Sequence, residues 1–329
     1  MKVVAIGEAL IDLLSSQCLQ HGSSSNEVFT KFAGGAPANV AVAVAKLGGK
    51  SYLLGKVGRD QFGHFLIDAL KRYGVSTDYV GFSETGKTAL AFINLDKNGE
   101  RAFEFYDDNA AHNDIQFSDF LAVFSEQPKV ISLCSAMLAN PELHKCSMDA
   151  IYRFNQEGSI ICLDINYRPA FWKASDSAAD IISDAAEQVD IVKASREELI
   201  TLFGIEQIEA VVKQWINKGV SLVMITDGGN AVSFTTANFN GIYPAPKTNA
   251  VDTTAAGDAF VGGFLYRLAQ ENSSTSTFFE WVANFEYVLK AINFATKCGA
   301  HTITQFGAFD SLPYHTDIEG KNVHREPVQ

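Results

Sequence analysis

NAVDTTAAGDAFVGGF, residues 249–264, sets two aspartates around a run of small residues just where an apolar helical pattern begins. A β-like segment leads into Asp252-Thr253-Thr254, a small-residue turn Ala255-Ala256-Gly257 follows, and Asp258 opens AFVGGFLYRLAQE. Backbone N–H groups left unpaired at a helix start, with the helix dipole behind them, form an anion site. Small side chains let a phosphate approach that backbone closely. A carboxylate beside the site would repel the phosphate, so Asp258 makes sense as a base that takes a proton from the attacking nucleophile. The same residues also fit an N-cap aspartate followed by a small-residue packing face. Taken alone, the stretch supports both readings about equally.

Two other stretches bear on the choice. FAGGAPANVAVAVAKLGG, residues 32–49, runs from a glycine pair into Pro37, a good first-turn residue, and then a helix rich in Ala and Val. Asn39 falls in its first turn, where its amide can face whatever lies over the Gly34-Gly35 turn, although ordinary turn-then-helix chemistry explains the stretch as well. Asp12, in GEALIDLL, is an aspartate in an otherwise apolar strand. A buried carboxylate there needs partners, which a polyhydroxyl ligand or a neighbouring turn would supply.

The chain has 329 residues, 47% of them apolar, as in ordinary globular enzymes. With 26 basic and 38 acidic residues the net charge is −12, a surface that repels phosphate backbones, so no nucleic-acid partner is expected. No apolar run approaches the length of a membrane span, and Gly7, Glu8 and Asp12 interrupt the apolar start, which lacks the pattern of a signal peptide. The five cysteines form no CxxC pair, and the odd count argues against a disulfide framework. A soluble cytoplasmic protein is expected.

Compact apolar runs at 3–7, 51–57, 129–135, 159–166, 190–195 and 221–228 read as strands buried on both faces. Helix-like segments at 37–48, 60–73, 141–157, 177–188, 196–203 and 206–218 lie between them. Such alternation predicts an α/β fold, a mainly parallel sheet flanked by helices on both faces. Ligands bind at the carboxyl ends of strands in such sheets, which singles out Asp164, Asn166, Lys193, Ser195 and Asp227. Residues 14–33, around HGSSSNEVF, and 86–109, with a DKNG turn between TALAFINL and RAFEFY, break the pattern and predict a small β lid. The polar tail from about 315 to 329 is expected to be poorly ordered.

Together these pieces resemble the ribokinase-like (PfkB-type) carbohydrate kinases, and most of all the fructokinases among them. GEALIDLL, GGAPANVAVAVAKLGG followed by GKVGRDQFGHFL, DINYRPAFWK at 164–173, VKASREEL at 192–199 and DTTAAGDAFVGG at 252–263 carry the likeness over residues 1–314. It implies transfer of the ATP γ-phosphate to a sugar hydroxyl, most readily that of D-fructose. Carried over by position, Asp258 would be the general base and the backbone of Ala255, Ala256, Gly257 and Asp258 the anion hole. Asp12, Gly34, Gly35 and Asn39 would contact the sugar, and Asn166 and Arg168 would lie near the phosphates. Lys193, Ser195, Thr226 and Gly228 would serve the nucleotide together with Gly257, and Asn293 to Ala300 would flank the adenine. Glu198 would help organise Mg²⁺ through water, and Asp252 and Thr254 would coordinate a monovalent cation, usually K⁺. An exposed lid edge would allow a homodimer.

The chain departs from the family pattern at three places. The turn usually reads GAGD, and with Ala255 in place of the first glycine the hole is expected to survive through a negative φ at that position. Ser195 stands where the family prefers Asn, and Asp107 where fructokinases commonly carry an arginine. There is no GxxxxGK[ST] loop, no GxGxxG after the first strand and no histidine pair with metal-ligand spacing. A 2-keto-3-deoxygluconate kinase or nucleoside kinase of the same fold, and a sugar-binding protein without turnover, remain as alternatives.

Overall fold

Strands that are apolar throughout must be covered on both faces, and the carboxyl-end residues of these strands then line one rim. The computed structural model describes residues 1–21, 24–95, 101–106, 109–124, 129–173, 177–272 and 274–320. Its main sheet has nine strands: β1 (Lys2–Ile6), β4 (Ser51–Gly58), β5 (Ser76–Ser83), β8 (Lys129–Cys134), β9 (Ile160–Asp164), β10 (Ile191–Ser195), β11 (Leu222–Thr226), β12 (Ala231–Thr235) and β13 (Asn240–Pro244). The spatial order is β13-β12-β11-β10-β9-β8-β1-β4-β5, paired in parallel except at one edge, where β12 pairs antiparallel with β11 and β13 antiparallel with β12. Alternate residues of β1 show why both faces are apolar. Val3 and Ala5 enter one core cluster, Val4 and Ile6 the other.

One face is covered by α1 (Ala36–Lys46), α2 (Gln61–Arg72), α9 (Ala256–Glu271), α10 (Thr275–Val282) and α11 (Phe285–Thr302). On the other lie α3 (Leu121–Phe124), α4 (Ala136–Ala139), α5 (Pro141–Gln156), α6 (Ala178–Ala186), α7 (Arg196–Phe203) and α8 (Ile208–Lys218). The glycine pair of α9 is a packing device. A Cβ at Gly262 would meet Ala43 Cβ at 2.4 Å, and one at Gly263 would meet Cys298 Sγ at 2.8 Å. The close approach of α1 to α9 that these glycines permit also brings the first turns of the two helices side by side.

A second sheet, of order β3-β2-β6-β7, rises beside the main one: β2 (Leu10–His21), β3 (Ser24–Gly34), β6 (Leu90–Leu95) and β7 (Arg101–Tyr106). Its first strands reach back to Leu10 and forward to Gly34, so Asp12 and Gly34 belong to it, with Leu10 opposite Gly34 in the antiparallel register. Residues 96–99 of the hairpin turn and Asp107 lie outside the described residues. The tail corrects one expectation: residues 315–319 form α12 (His315–Glu319). Tyr314 and Asp317 cap it reciprocally, and His315 packs against the rings of Tyr266 and Phe294, contacts a reading of polarity alone cannot foresee. Residues 321–329 lie outside the described set. Among the described residues no helix is long and apolar enough to cross a membrane.

Candidate active site

Asp258 lies in the first turn of α9 and is buried. Asn39, in the first turn of α1, donates from Nδ2 to Asp258 Oδ2 at 2.7 Å across 219 residues of sequence. Asn39 Oδ1 is itself buried with no hydrogen-bond partner, leaving an acceptor for a ligand hydroxyl. Burial pushes the Asp258 carboxyl above its ordinary value, while the Asn39 hydrogen bond and the charges of Lys193 and Arg168 pull it back. A base of raised basicity at a helix start is what proton abstraction from a hydroxyl asks for.

The turn before Asp258 corrects another expectation. Ala255 adopts φ 60 and ψ 8, the left-handed region, rather than a negative φ. Ala255 stands at the N-cap with no side-chain hydrogen bond to the first turn, so the left-handed turn leaves those N–H groups uncapped by any side chain. An alanine there costs about 1–2 kcal/mol relative to a conformation it prefers. The strain sits in the turn that opens α9.

Lys193, at the carboxyl end of β10, reaches the same place. A Cβ on Gly257 would lie 3.1 Å from Lys193 Nζ, which puts the ammonium directly over the turn. Asp164, at the end of β9 and opposite Lys193 in the register, pairs with it at 3.0 Å, both side chains 5% exposed. Burial works against the charge of Lys193, yet Asp164, Glu198 and Asp258 outweigh it and hold the ammonium above its ordinary value. Asp164 was noted in the sequence only as a strand-end residue. Its pairing with Lys193 depends on the parallel register.

Of the other predicted residues, Ser195 and Thr226 end neighbouring parallel strands and Asn166 follows the end of β9. Asp12 of β2 packs its carboxylate on Gly34, where a Cβ would stand 2.1 Å from Asp12 Oδ2, and a Cβ on Gly35 would meet the Glu8 carbonyl at 2.7 Å. Asn166 holds φ 38, a left-handed conformation that asparagine tolerates better than most residues, and is buried. Arg168 donates to its neighbour's carbonyl and lies 3.7 Å from Glu198 Oε1, half exposed. Ser195 caps α7 reciprocally with Glu198: Ser195 N–H donates to Glu198 Oε2 at 2.7 Å and Glu198 N–H to Ser195 Oγ at 3.1 Å. Thr226 pairs with Ser195 across the sheet and donates to Ala194 O at 3.4 Å, and Gly228, φ 52, follows on an open surface. Asn293, on α11, keeps a buried Oδ1 without a hydrogen-bond partner. Asp252 accepts from Thr254 N–H at 2.8 Å and from Gly307 N–H at 3.1 Å, tying the segment before α9 to the loop after α11. Asp227, by contrast, accepts from Asn230 within its own turn.

Among the described residues no three histidine, cysteine or acidic side chains gather into a metal cage. The residues present fit a divalent cation held through water. Asp164, Glu198 and Asp258 lie close to Lys193, and Arg168 lies by Glu198 and Asp258, three acids to two bases beside a helix start, and Mg²⁺ commonly keeps several waters and shares phosphate oxygens. Asp252 and Thr254 fit a monovalent cation, since a carboxylate oxygen that accepts one backbone N–H, as each Asp252 oxygen does, can still coordinate a cation.

A buried carboxylate at an uncapped helix start, with a lysine over the turn, on the rim of a large mostly parallel sheet, defines a phosphotransferase of the ribokinase-like fold. The chain belongs to the pfkB family of carbohydrate kinases, whose model matches residues 1–314. It is an ATP-dependent sugar kinase. A probable fructokinase-5 of Arabidopsis thaliana is 35% identical over 319 residues, 96% of each chain. Among solved structures, a fructokinase from Xylella fastidiosa with bound ATP superposes with a TM-score of 0.89 at 34% identity, covering 96% of both chains. A double mutant of the Vibrio cholerae O395 fructokinase, bound to fructose, ADP and potassium ion, gives 0.83 at 32% identity over 95% of each chain.

Proposed function

We propose that the chain is a fructokinase that converts D-fructose and ATP to fructose 6-phosphate and ADP. The observation that carries the chemistry is the buried Asp258, held by Asn39 at a helix start without a side-chain cap and with Lys193 over Gly257. In this reading Asp12, Gly34, Gly35 and Asn39 hold the sugar, with Asn39 Oδ1 accepting a hydrogen bond from one of its hydroxyls. Asp258 removes the proton of the attacking sugar hydroxyl as its oxygen bonds to the γ-phosphorus. The bond from that phosphorus to the β,γ-bridging oxygen breaks, and its electron pair leaves on ADP. The backbone of 255–258 and the ammonium of Lys193 face the charge on the equatorial oxygens. Mg²⁺, when bound, offsets charge on the phosphates, and Glu198 and Asp164 are the residues placed to order its waters. Thr226, Gly228, Ser195 and Asn293 form the nucleotide side, Asn166 and Arg168 lie by the phosphates, and Asp252 and Thr254 take K⁺.

The four-stranded sheet acts as a lid over the sugar, and its edge strands β3 and β7 suit pairing with a second copy. A cytoplasmic setting agrees with the free thiols of Cys134, Cys146, Cys162 and Cys298. Fructose is favoured by the similarity to fructokinases along nearly the whole chain and by Asp12 with Asn39, a carboxylate and an amide that suit a neutral polyol. Measuring kcat/KM with ATP for fructose, ribose, adenosine and 2-keto-3-deoxygluconate tests the choice. Fructose ranks first. A preference for the acid or the nucleoside overturns the assignment, and no ADP release with any of them leaves a binding protein.

A further inference from the structure

GKVGRDQFGHFL, residues 55–66, carries part of the likeness to the family, yet none of its side chains has a place in the site described above. Asp60 within it is the N-cap of α2, accepting from Gly63 N–H through Oδ1 at 2.8 Å. One oxygen is enough for a cap. Asp60 uses both: Oδ2 accepts from Thr88 N–H at 3.0 Å, and Oδ1 accepts also from Thr88 Oγ1 at 2.8 Å. Thr88 Oγ1 in turn accepts from the N–H of Gly58, the last residue of β4, at 3.0 Å, and Thr88 is 4% exposed. Two glycines clear the space for this arrangement. A Cβ at Gly58 would run into Asp60 Oδ2 and the Thr88 nitrogen, and one at Gly63 into Gly58 O.

Thr88 lies two residues before β6, the lid strand that runs parallel to β2. Beside it Ala89 O accepts from Ile11 N–H at 3.0 Å, and the register then sets Leu90 next to Ile11 and Ala91 next to Asp12. The apolar contact at this point is small, made of Leu10, Ala89, Ala91 and Ala110 with Phe105 packed against them. Side chains as short as alanine bury little area, so burial alone fixes the register of β6 on β2 weakly. We propose that Asp60 and Thr88 are positioning residues for sugar binding: together they pin the entry of β6 to the end of β4 and so fix the placement of Asp12 on β2. The nucleotide side, carried by β10, β11 and α11, does not depend on them.

Because this rests on Asp12 holding the sugar, Asp12→Ala is assayed alongside Thr88→Val, Thr88→Ser and Asp60→Ser. Sugar affinity is read as KM for fructose and, independently of turnover, as Kd by calorimetry. Thr88→Val removes the hydroxyl, Thr88→Ser keeps it, and Asp60→Ser still caps α2 but has no second oxygen for Thr88 N–H. Thr88→Val and Asp60→Ser should each weaken fructose binding roughly 5- to 50-fold, on the scale of a hydrogen bond to a charged group, with kcat and KM for ATP within about threefold of wild type. Thr88→Ser should stay near wild type. Loss of cap alone predicts the reverse for Asp60→Ser, no change in fructose binding. Fructose affinity within about twofold of wild type in Asp60→Ser therefore overturns the proposal, and Asp60→Ser decides it alone should Thr88→Val fail to fold. An equal rise in KM for ATP also overturns it, since that reports general loosening. If Asp12→Ala binds fructose as wild type does, the sugar-site reading itself fails; if Asp12→Ala loses affinity and Asp60→Ser does not, only the role of Asp60 and Thr88 fails.

Discussion

Replacing Asp258 by Asn should separate catalysis from stability in opposite directions. The amide can still accept from Asn39 Nδ2 where the carboxylate accepts at 2.7 Å, so the two first turns keep their contact. The base is lost, which typically costs 10²–10⁴ in rate, or about 2.7–5.4 kcal/mol of barrier at 1.36 kcal/mol per decade. Stability moves the other way. Burial raises Asp258 above its unfolded value of 3.8, so above that pH the folded chain carries a carboxylate it would rather hold protonated. The unfavourable contribution is absent below the unfolded value and complete once the pH exceeds the folded one. Asp258→Asn removes it, and Tm should rise at neutral pH, with the gain shrinking as the pH falls toward 4. ADP release with fructose and ATP gives kcat, and thermal melts at several pH values give Tm. Retention of more than about a tenth of wild-type kcat would refute the base assignment. A large fall in Tm would show instead that lost activity reports damage to the fold.

Ala255→Gly should relieve the left-handed strain and raise Tm by a few degrees at most, since about 1–2 kcal/mol of strain is partly offset by the freer unfolded chain. Ala255→Val should lower both Tm and kcat, because a β-branched residue at φ 60 must distort the turn that presents the amides. Phe105→Ala removes the ring that packs 4.7 Å from Phe171 between lid strand and main-sheet loop. ATP hydrolysis without sugar should rise relative to fructose phosphorylation, and unchanged coupling counts against a lid. Wild-type kcat should be higher in KCl than in tetramethylammonium chloride, and Asp252→Ala should erase the difference; equal rates for wild type in both salts would dispose of the K⁺ site.

The fold was most legible where a strand is apolar on both faces. β1, β4, β8, β9, β10 and β11 each carry such a run, and the helices between them follow from the same alternation. Strands with one face to solvent left no such signal. β12 and β13 alternate exposed and covered positions, and β5 is only partly covered along its length, so none of the three stands out as a run. The long helix α11 is missing from the helical segments read in the sequence; part of its cover comes from α9 through Gly263, a contact invisible in local periodicity. Helix α12 escaped notice for a related reason, being polar in composition and anchored by rings 49 and 21 residues earlier in the chain, at Tyr266 and Phe294.

The site divides along the same line. Asp258 and the turn before it could be read locally, since a helix start with small residues and an acid is a pattern confined to a few positions. The backbone sign at Ala255 could not, because nothing in AAGD forces φ one way, and the folded chain holds it at φ 60. Lys193 and Asp164 look like stray polar residues in two apolar runs until the register sets them opposite one another, and only then does a buried cation appear over Gly257.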